Sequence, residues 1–152
     1  MYVREIMSST VSCCGLQDDL ESVALMMVSN DCGSMPITND LGQPIGMITD
    51  RDIALAAASR HKALWQLHAE DFLTGQPVTV CHADDDIHTA LSIMQRARVH
   101  RLPVINGDNE VLGMLSMDDV INRAERGVRG KGSPALSFDD TVMTLKAMSR
   151  HH

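Results

Sequence analysis

The chain has 152 residues, 44% of them hydrophobic, with 13 basic and 20 acidic side chains for a net charge of −7. That length and apolar content suit one domain, or two small ones sharing a core, and exclude a disordered chain. The acidic balance excludes a general phosphate-backbone binder, leaving room for one local basic pocket, so no nucleic-acid partner is expected.

In chain order, Met1-Tyr2-Val3-Arg4-Glu5 lacks the basic-then-apolar order of a signal peptide. No apolar run approaches the roughly 18 residues that span a bilayer, so a cytoplasmic protein with no membrane partner is expected. Val11-Ser12-Cys13 reads as a short strand. Leu20, Val23, Ala24, Met27 and Val28 then form an apolar stripe at helical spacing, opened by Asp18 and Glu21 as a capping pair. Leu25 and Met26 lie off that stripe. Two strands follow, Met35 to Thr38 and Pro44 to Thr49, joined by the turn formers Asn39-Asp40-Leu41-Gly42. A helix from about Arg51 closes the unit. Its run Ile53-Ala54-Leu55-Ala56-Ala57-Ala58 is apolar all round, which predicts burial on more than one face. Residues 59–68 read as a connection with a helical tail anchored by Trp65.

The same order then returns. A shift of 67 positions sets Val11 on Val78, Cys14 on Cys81, Pro36 on Pro103, Gly46 on Gly113 and Asp52 on Asp119, without a gap. Val78-Thr79-Val80 repeats the first strand, and Ile87, Ala90, Leu91 and Met94 repeat the helix stripe. Leu102 to Ile105 and Val111 to Ser116 repeat the hairpin through Asn106-Gly107-Asp108-Asn109, whose Asn-Gly is a turn signal. A closing helix begins near Asp118. Two copies of a β-α-β-β-α unit too small to stand alone should pack together. The expected division is residues 1–68, 69–126, and a tail of 127–152. The tail reads as a flexible linker over 127–136, from its Gly127, Gly130, Gly132 and Pro134, and then a short packing helix with Val142, Leu145 and Met148. The terminal His151-His152 is set aside as a tag-like pair.

One element recurs where the third strand of each copy enters its closing helix: Gly46-Met47-Ile48-Thr49-Asp50-Arg51-Asp52 and Gly113-Met114-Leu115-Ser116-Met117-Asp118-Asp119. It places a hydroxyl at the helix N-cap and a carboxylate in the first turn, where unsatisfied N–H groups and the helix dipole favour an anion. A carboxylate only accepts hydrogen bonds, so it can take both hydroxyls of a ribose, and glycine in the strand lets a flat base come close. Ser/Thr-x-x-Asp is also an ordinary capping arrangement. Thus the spacing alone leaves both readings open.

The doubled motif in register, over about residues 3–126, resembles a tandem pair of CBS domains, named after cystathionine beta-synthase. That resemblance implies an α/β (α+β) fold of two repeats packed sheet to sheet as one pseudo-two-fold module, with two clefts. It implies an adenine nucleotide there (AMP, ADP, ATP or NAD), the motif Asp gripping ribose and the Ser or Thr near phosphate. Asp52 with Thr49, and Asp119 with Ser116, would serve the two clefts. His100-Arg101 stands where AMP-binding members carry phosphate contacts; Arg101 can bond phosphate bidentately and His100 adds a titratable donor. The matching Gly33-Ser34 carries no charge, so the clefts differ. Arg51 can neutralise a phosphate and Asp118 would repel one, which favours the cleft with Thr49, Asp50, Arg51 and Asp52. Base contacts are expected near Val11, Ser12, Met35, Pro36 and Val78.

The reading is a non-enzymatic regulatory module that acts through a protein effector and forms a homodimer, without a metal. Two other readings stand beside it. Cys13, Cys14, Cys81 and His82 can be read as a thiol or metal redox sensor, although no C-x-x-C spacing is present. Asp50, Asp52, Asp118 and Asp119 can be read as acid/base pairs of a nucleotide hydrolase, without a phosphate-binding loop or a nucleophile motif to accompany them.

Overall fold

In a computed structural model that describes residues 1–149, each repeat builds one three-stranded sheet and two helices. His151-His152 lies outside the described residues. In the first repeat, β1 (Cys14–Gly15) runs parallel to β2 (Ser34–Thr38), and β2 pairs antiparallel with β3 (Pro44–Thr49). Helix α1 (Leu20–Ser29) lies between β1 and β2 in sequence, and α2 (Asp50–Ser59) follows β3. The second repeat gives β4 (Cys81–His82), α3 (Ile87–Ala97), β5 (Arg101–Ile105), β6 (Val111–Ser116) and α4 (Met117–Arg123) in the same order, and α5 (Phe138–Met148) is the last element among the described residues. The fold is the mixed α/β arrangement expected, β-α-β-β-α twice.

The chain divides into two compact units. One holds Val11–Val78 with Asn109–Val111; the other holds Met1–Thr10, Thr79–Asp108 and the chain from Leu112. Each has its own core. Leu20, Val23, Met27, Met35, Ile37, Ile48 and Ile53 fill the first, and Ile87, Leu91, Met94, Leu102, Val104, Leu115 and Val120 the second. Their helix members recur at helical spacing, as the stripes require.

Each unit is completed by a segment that precedes the other repeat in sequence. The 3-10 turn at Val3–Glu5 belongs to the second repeat's unit: Val3 N–H donates to Asp85 O at 2.9 Å and Arg4 N–H to Ala83 O at 3.0 Å. The turn at Ala69–Phe72 does the same for the first, with Ala69 N–H on Asp18 O at 2.9 Å and Glu70 N–H on Leu16 O at 3.0 Å. These segments explain the motif glycines. A Cβ at Gly113 would stand 2.3 Å from the Ser8 carbonyl oxygen, and one at Gly46 would stand 2.8 Å from Leu73 Cδ2. The glycines admit the chain's own leader segments, which corrects the expectation that they admit a flat base.

Other expectations are corrected too. The first strands begin only at Cys14 and Cys81, because only these residues and their successors find parallel partners, on Ile37-Thr38 and Val104-Ile105. The cap of α1 is Asp19, which accepts Ser22 N–H at 2.9 Å, while Asp18 accepts Gly15 N–H at 2.7 Å and ties the preceding turn. Val28, counted in the stripe, is 78% exposed. Helix α2 buries only Ile53 and Ala56, so its apolar run presents small alanines outward rather than a second buried face. Trp65 is 63% exposed; the anchor is buried Leu67, whose carbonyl accepts Leu20 N–H at 2.9 Å. In the second hairpin the left-handed residue is Asn109 (φ 64), the repeat-equivalent of Gly42 (φ 75), and not Gly107. Helix α5 buries Thr141, Thr144 and Met148 and exposes Val142. That polar face is satisfied: Thr144 Oγ1 accepts from Gln95 Nε2 at 2.9 Å and donates to Asp140 O at 2.8 Å. Residues 127–135 carry no regular element, but Leu136 is buried in the second core and ties the segment down.

Candidate functional site

The two motif hydroxyls stand where the sequence puts them, at helix N-caps. In the first repeat, Asp52 N–H donates to Thr49 Oγ1 at 3.1 Å and Thr49 N–H donates to Asp52 Oδ2 at 2.9 Å. In the second, Asp119 N–H donates to Ser116 Oγ at 3.2 Å, and the Ser116 N–H and hydroxyl both donate to Asp119 Oδ2, at 2.8 and 2.6 Å. These are reciprocal capping boxes. The same box closes α5 through Ser137 and Asp140, so the box by itself is a folding device.

What the boxes leave unused matters more. Each motif carboxylate commits only Oδ2, and among the described residues Oδ1 of Asp52 and of Asp119 accepts nothing. The two hydroxyls also differ. Ser116 spends its proton on Asp119, whereas the Thr49 hydroxyl proton has no acceptor among the described residues. Beside Thr49 in the β2–β3 register lies Ser34, whose Oγ is buried without a hydrogen-bond partner among the described residues. An unsatisfied buried hydroxyl is costly, and such groups mark places where a water or ligand belongs. Sequence reasoning passed Ser34 by as an uncharged position; a hydroxyl opposite the capping Thr49 was the available signal.

The remaining candidates separate. Asp50 turns away from Asp52: its Oδ1 accepts Arg51 N–H at 2.8 Å, and its carboxylate covers Gly33, where a Cβ would meet Oδ2 at 3.0 Å. It lines an open groove of about 520 Å³ between α1 and α2, with Met27, Cys32 and Ile53. Arg51 is exposed and forms no ion pair among the described residues. Met35 and Pro36 are buried, and Val11, Ser12 and Val78 are half-buried outside any strand. In the second unit, His100 and Arg101 are exposed, and the His100 carbonyl accepts Met117 N–H at 3.0 Å, which seats it at the start of α4 beside its own repeat's motif. Asp119 lines a small cleft of about 260 Å³ with Asn122 and Arg123, residues the motif does not include.

The acid/base pairs imagined from Asp50 with Asp52, and Asp118 with Asp119, do not assemble. Asp50 and Asp52 serve different hydrogen-bond partners, and Asp118 is exposed while Asp119 is tied to Ser116. All four cysteines are free thiols. Cys14 and Cys81 are buried, and desolvation, with Asp18 and Asp85 nearby, pushes each thiol up to about 12, far from the reactive thiolate. Among the described residues no three His, Cys, Asp or Glu side chains gather as a metal site. No helix among them is long and apolar enough to cross a membrane.

The CBS domain profile matches residues 3–59 and 69–126. The chain belongs to the CBS domain family. Among curated relatives of this CBS domain pair, an uncharacterized protein of Methanopyrus kandleri is 29% identical over 99 residues, covering 65% of this chain and 50% of that one. Hypoxic response protein 1 of Mycobacterium tuberculosis is 29% identical over 117 residues, with 77% and 80% covered. A homoserine O-acetyltransferase of Methanosphaerula palustris matches at 29% over 125 residues, 82% of this chain but 24% of the enzyme. The chain thus spans half or less of the first and last of these. Among solved structures, Hypoxic Response Protein I with two coordinated zinc ions superposes with a TM-score of 0.74 at 26% identity, covering 82% of this chain and 100% of that one. CBS domain protein PAE2072 from Pyrobaculum aerophilum, complexed with AMP, gives 0.69 at 21%, with 79% and 90% covered. The CBS domain pair of protein MJ0100, in complex with 5′-methylthioadenosine and S-adenosyl-L-methionine, gives 0.69 at 22%, with 80% and 94% covered.

Proposed function

We propose that this CBS domain pair is a regulatory module that binds an adenine nucleotide at its two motifs and transmits occupancy to a protein effector. The observation that carries the reading is the Oδ1 on both Asp52 and Asp119, which accepts no hydrogen bond among the described residues, each on a carboxylate oriented by its own helix start. Such an oxygen suits a ribose diol. The ligands named for the two structural relatives above, AMP, 5′-methylthioadenosine and S-adenosyl-L-methionine, share an adenosyl group with its ribose diol. The Thr49 site is the better phosphate site: among the described residues the Thr49 hydroxyl proton has no acceptor and Arg51 forms no ion pair, and Ser34 lies beside Thr49. His100 and Arg101, beside the second repeat's own motif, are further phosphate donors there, and contacts to the base at the first motif come from the backbone and side chains near Val11, Ser12, Met35, Pro36 and Val78. The site works in a cytoplasmic protein and needs no metal.

A nucleotide of about 23 heavy atoms at about 0.3 kcal/mol per atom binds with about 7 kcal/mol, near 10 μM, a range that suits a sensor. At 100-fold over Kd it adds about 2.7 kcal/mol of stability, or about 5–10 °C in Tm. Thermal unfolding with AMP, ADP, ATP, NAD and S-adenosylmethionine tests this. A shift with at least one, lost in Asp52→Ala, supports the reading, and no shift with any of them overturns it.

We further propose that the module self-associates through the first repeat. Leu25, Val28 and Leu55 are 62%, 78% and 54% exposed, and their equivalents in the second repeat are Ser92, Gln95 and Asn122. An apolar face present in one repeat and polar in its twin fits a two-fold contact between copies.

A further inference from the structure

Between α4 and α5 the chain loops out from the second repeat's core and returns at one neck. Glu125 N–H donates to Leu136 O at 2.9 Å, Phe138 N–H donates to Glu125 O at 3.1 Å, and Leu136 is sunk in the core. Residues 126–135 are therefore a loop held at its base. Its tip turns at Gly130 (φ 88) and is closed by Lys131 N–H on Val128 O at 3.0 Å. The loop carries Arg126, Arg129 and Lys131, and none of them forms an ion pair among the described residues. All three line one open cleft of about 910 Å³, with Phe138 as its aromatic wall.

Two carboxylates, Asp139 and Asp140, line the same cleft. Asp140 is already engaged: it accepts the Ser137 N–H and hydroxyl at 2.9 and 2.7 Å, and its Oδ2 lies 3.4 Å from His88 Nε2. The cleft therefore sets three cations against two carboxylates, an excess of positive charge on a chain whose net charge is −7. Like charges gathered in one concavity repel each other until an anion enters, and a guanidinium fork matches phosphate oxygens in pairs. We propose that this cleft binds a small molecule bearing two or more phosphates, with Arg126, Arg129 and Lys131 on the phosphates and Phe138 against whatever the phosphates are attached to. The site lies outside both CBS motifs and does not depend on nucleotide binding there.

Titration calorimetry of the full chain with inorganic pyrophosphate, which has no ribose for Asp52 or Asp119, tests the proposal. The expected result is saturable one-to-one binding, weakened at least tenfold in the Arg126→Ala/Arg129→Ala/Lys131→Ala variant and unchanged within twofold in Asp52→Ala/Asp119→Ala. Absence of saturable binding, or equal binding by the triple variant, overturns it, as does a loss confined to the aspartate variant. If the triple variant loses its folded circular dichroism signal, the exposed single change Arg129→Gln is read instead: weakening of threefold or more supports the site, and no change overturns it. In the aspartate-variant background, ADP binding more tightly than pyrophosphate, with that advantage lost in Phe138→Ala, identifies a nucleotide; equal affinities identify a polyphosphate without a stacking ring.

Discussion

Ser34 carries the sharpest consequence at the scale of single residues. Its hydroxyl is buried beside Thr49 without a partner among the described residues, so Ser34→Ala removes an unsatisfied polar group. The variant should keep or gain stability, by up to about 1 kcal/mol in denaturant unfolding, while binding AMP more weakly. A loss of stability with unchanged AMP affinity would show that the hydroxyl serves only the fold. Cys14 and Cys81 lead to a pH dependence. Burial raises both thiols from 9.0 to about 12, so the folded state holds the neutral form while the unfolded chain ionises from about pH 9. The stability they contribute is complete below pH 9 and is lost as pH climbs toward 12. Unfolding measured at pH 8 and pH 10.5 should show a larger alkaline loss in the parent than in Cys14→Ala/Cys81→Ala. In the native protein at pH 8, iodoacetamide should label Cys14 and Cys81 last. The sequence made the motif pair Thr49/Asp52 visible, because capping chemistry is local. Nothing local distinguished Ser34 from any other strand serine, since its isolation arises from what packs over it.

At the scale of elements, the leader segments decide how strictly each strand is read. Gly113 faces a backbone carbonyl that cannot retreat, because Ser8 and Met114 exchange both N–H···O bonds at 2.9 Å. Gly46 faces side chains alone, the flexible tip of Leu73 nearest and Ile37 behind it at 3.4 Å. Gly113→Ala should therefore cost about 2–3 kcal/mol, the upper part of the overpacking range, and Gly46→Ala about 1 kcal/mol. Urea unfolding of the two variants compares them directly, and equal costs would contradict the leader contact. Helix positions were legible from the stripes. The exposed face of α2 and the threonine face of α5 were not, because small and hydroxylated residues are buried or exposed according to their neighbours rather than their own polarity. The hairpins show the same limit. Asn-Gly suggested the turn, yet the left-handed position fell on Asn109, the repeat-equivalent of Gly42 in the first hairpin.

At the scale of the whole molecule, the apolar face of the first repeat predicts its own test. Leu25→Asp/Val28→Asp, both on exposed positions, should convert a dimer into a monomer in light scattering while leaving thermal unfolding within about 0.5 kcal/mol per site. A monomeric parent would remove this part of the proposal. The sequence by itself determined the duplication, the order of elements, the family and the two capping motifs, because repeat register, periodicity and caps are written in short-range spacing. The tertiary structure alone decided which glycines yield to a neighbouring segment and which carboxylate oxygen stays free. It also decided which hydroxyl is stranded and which cations share a cleft. These depend on groups far apart in the chain, and no local pattern records who will meet whom once the cores close.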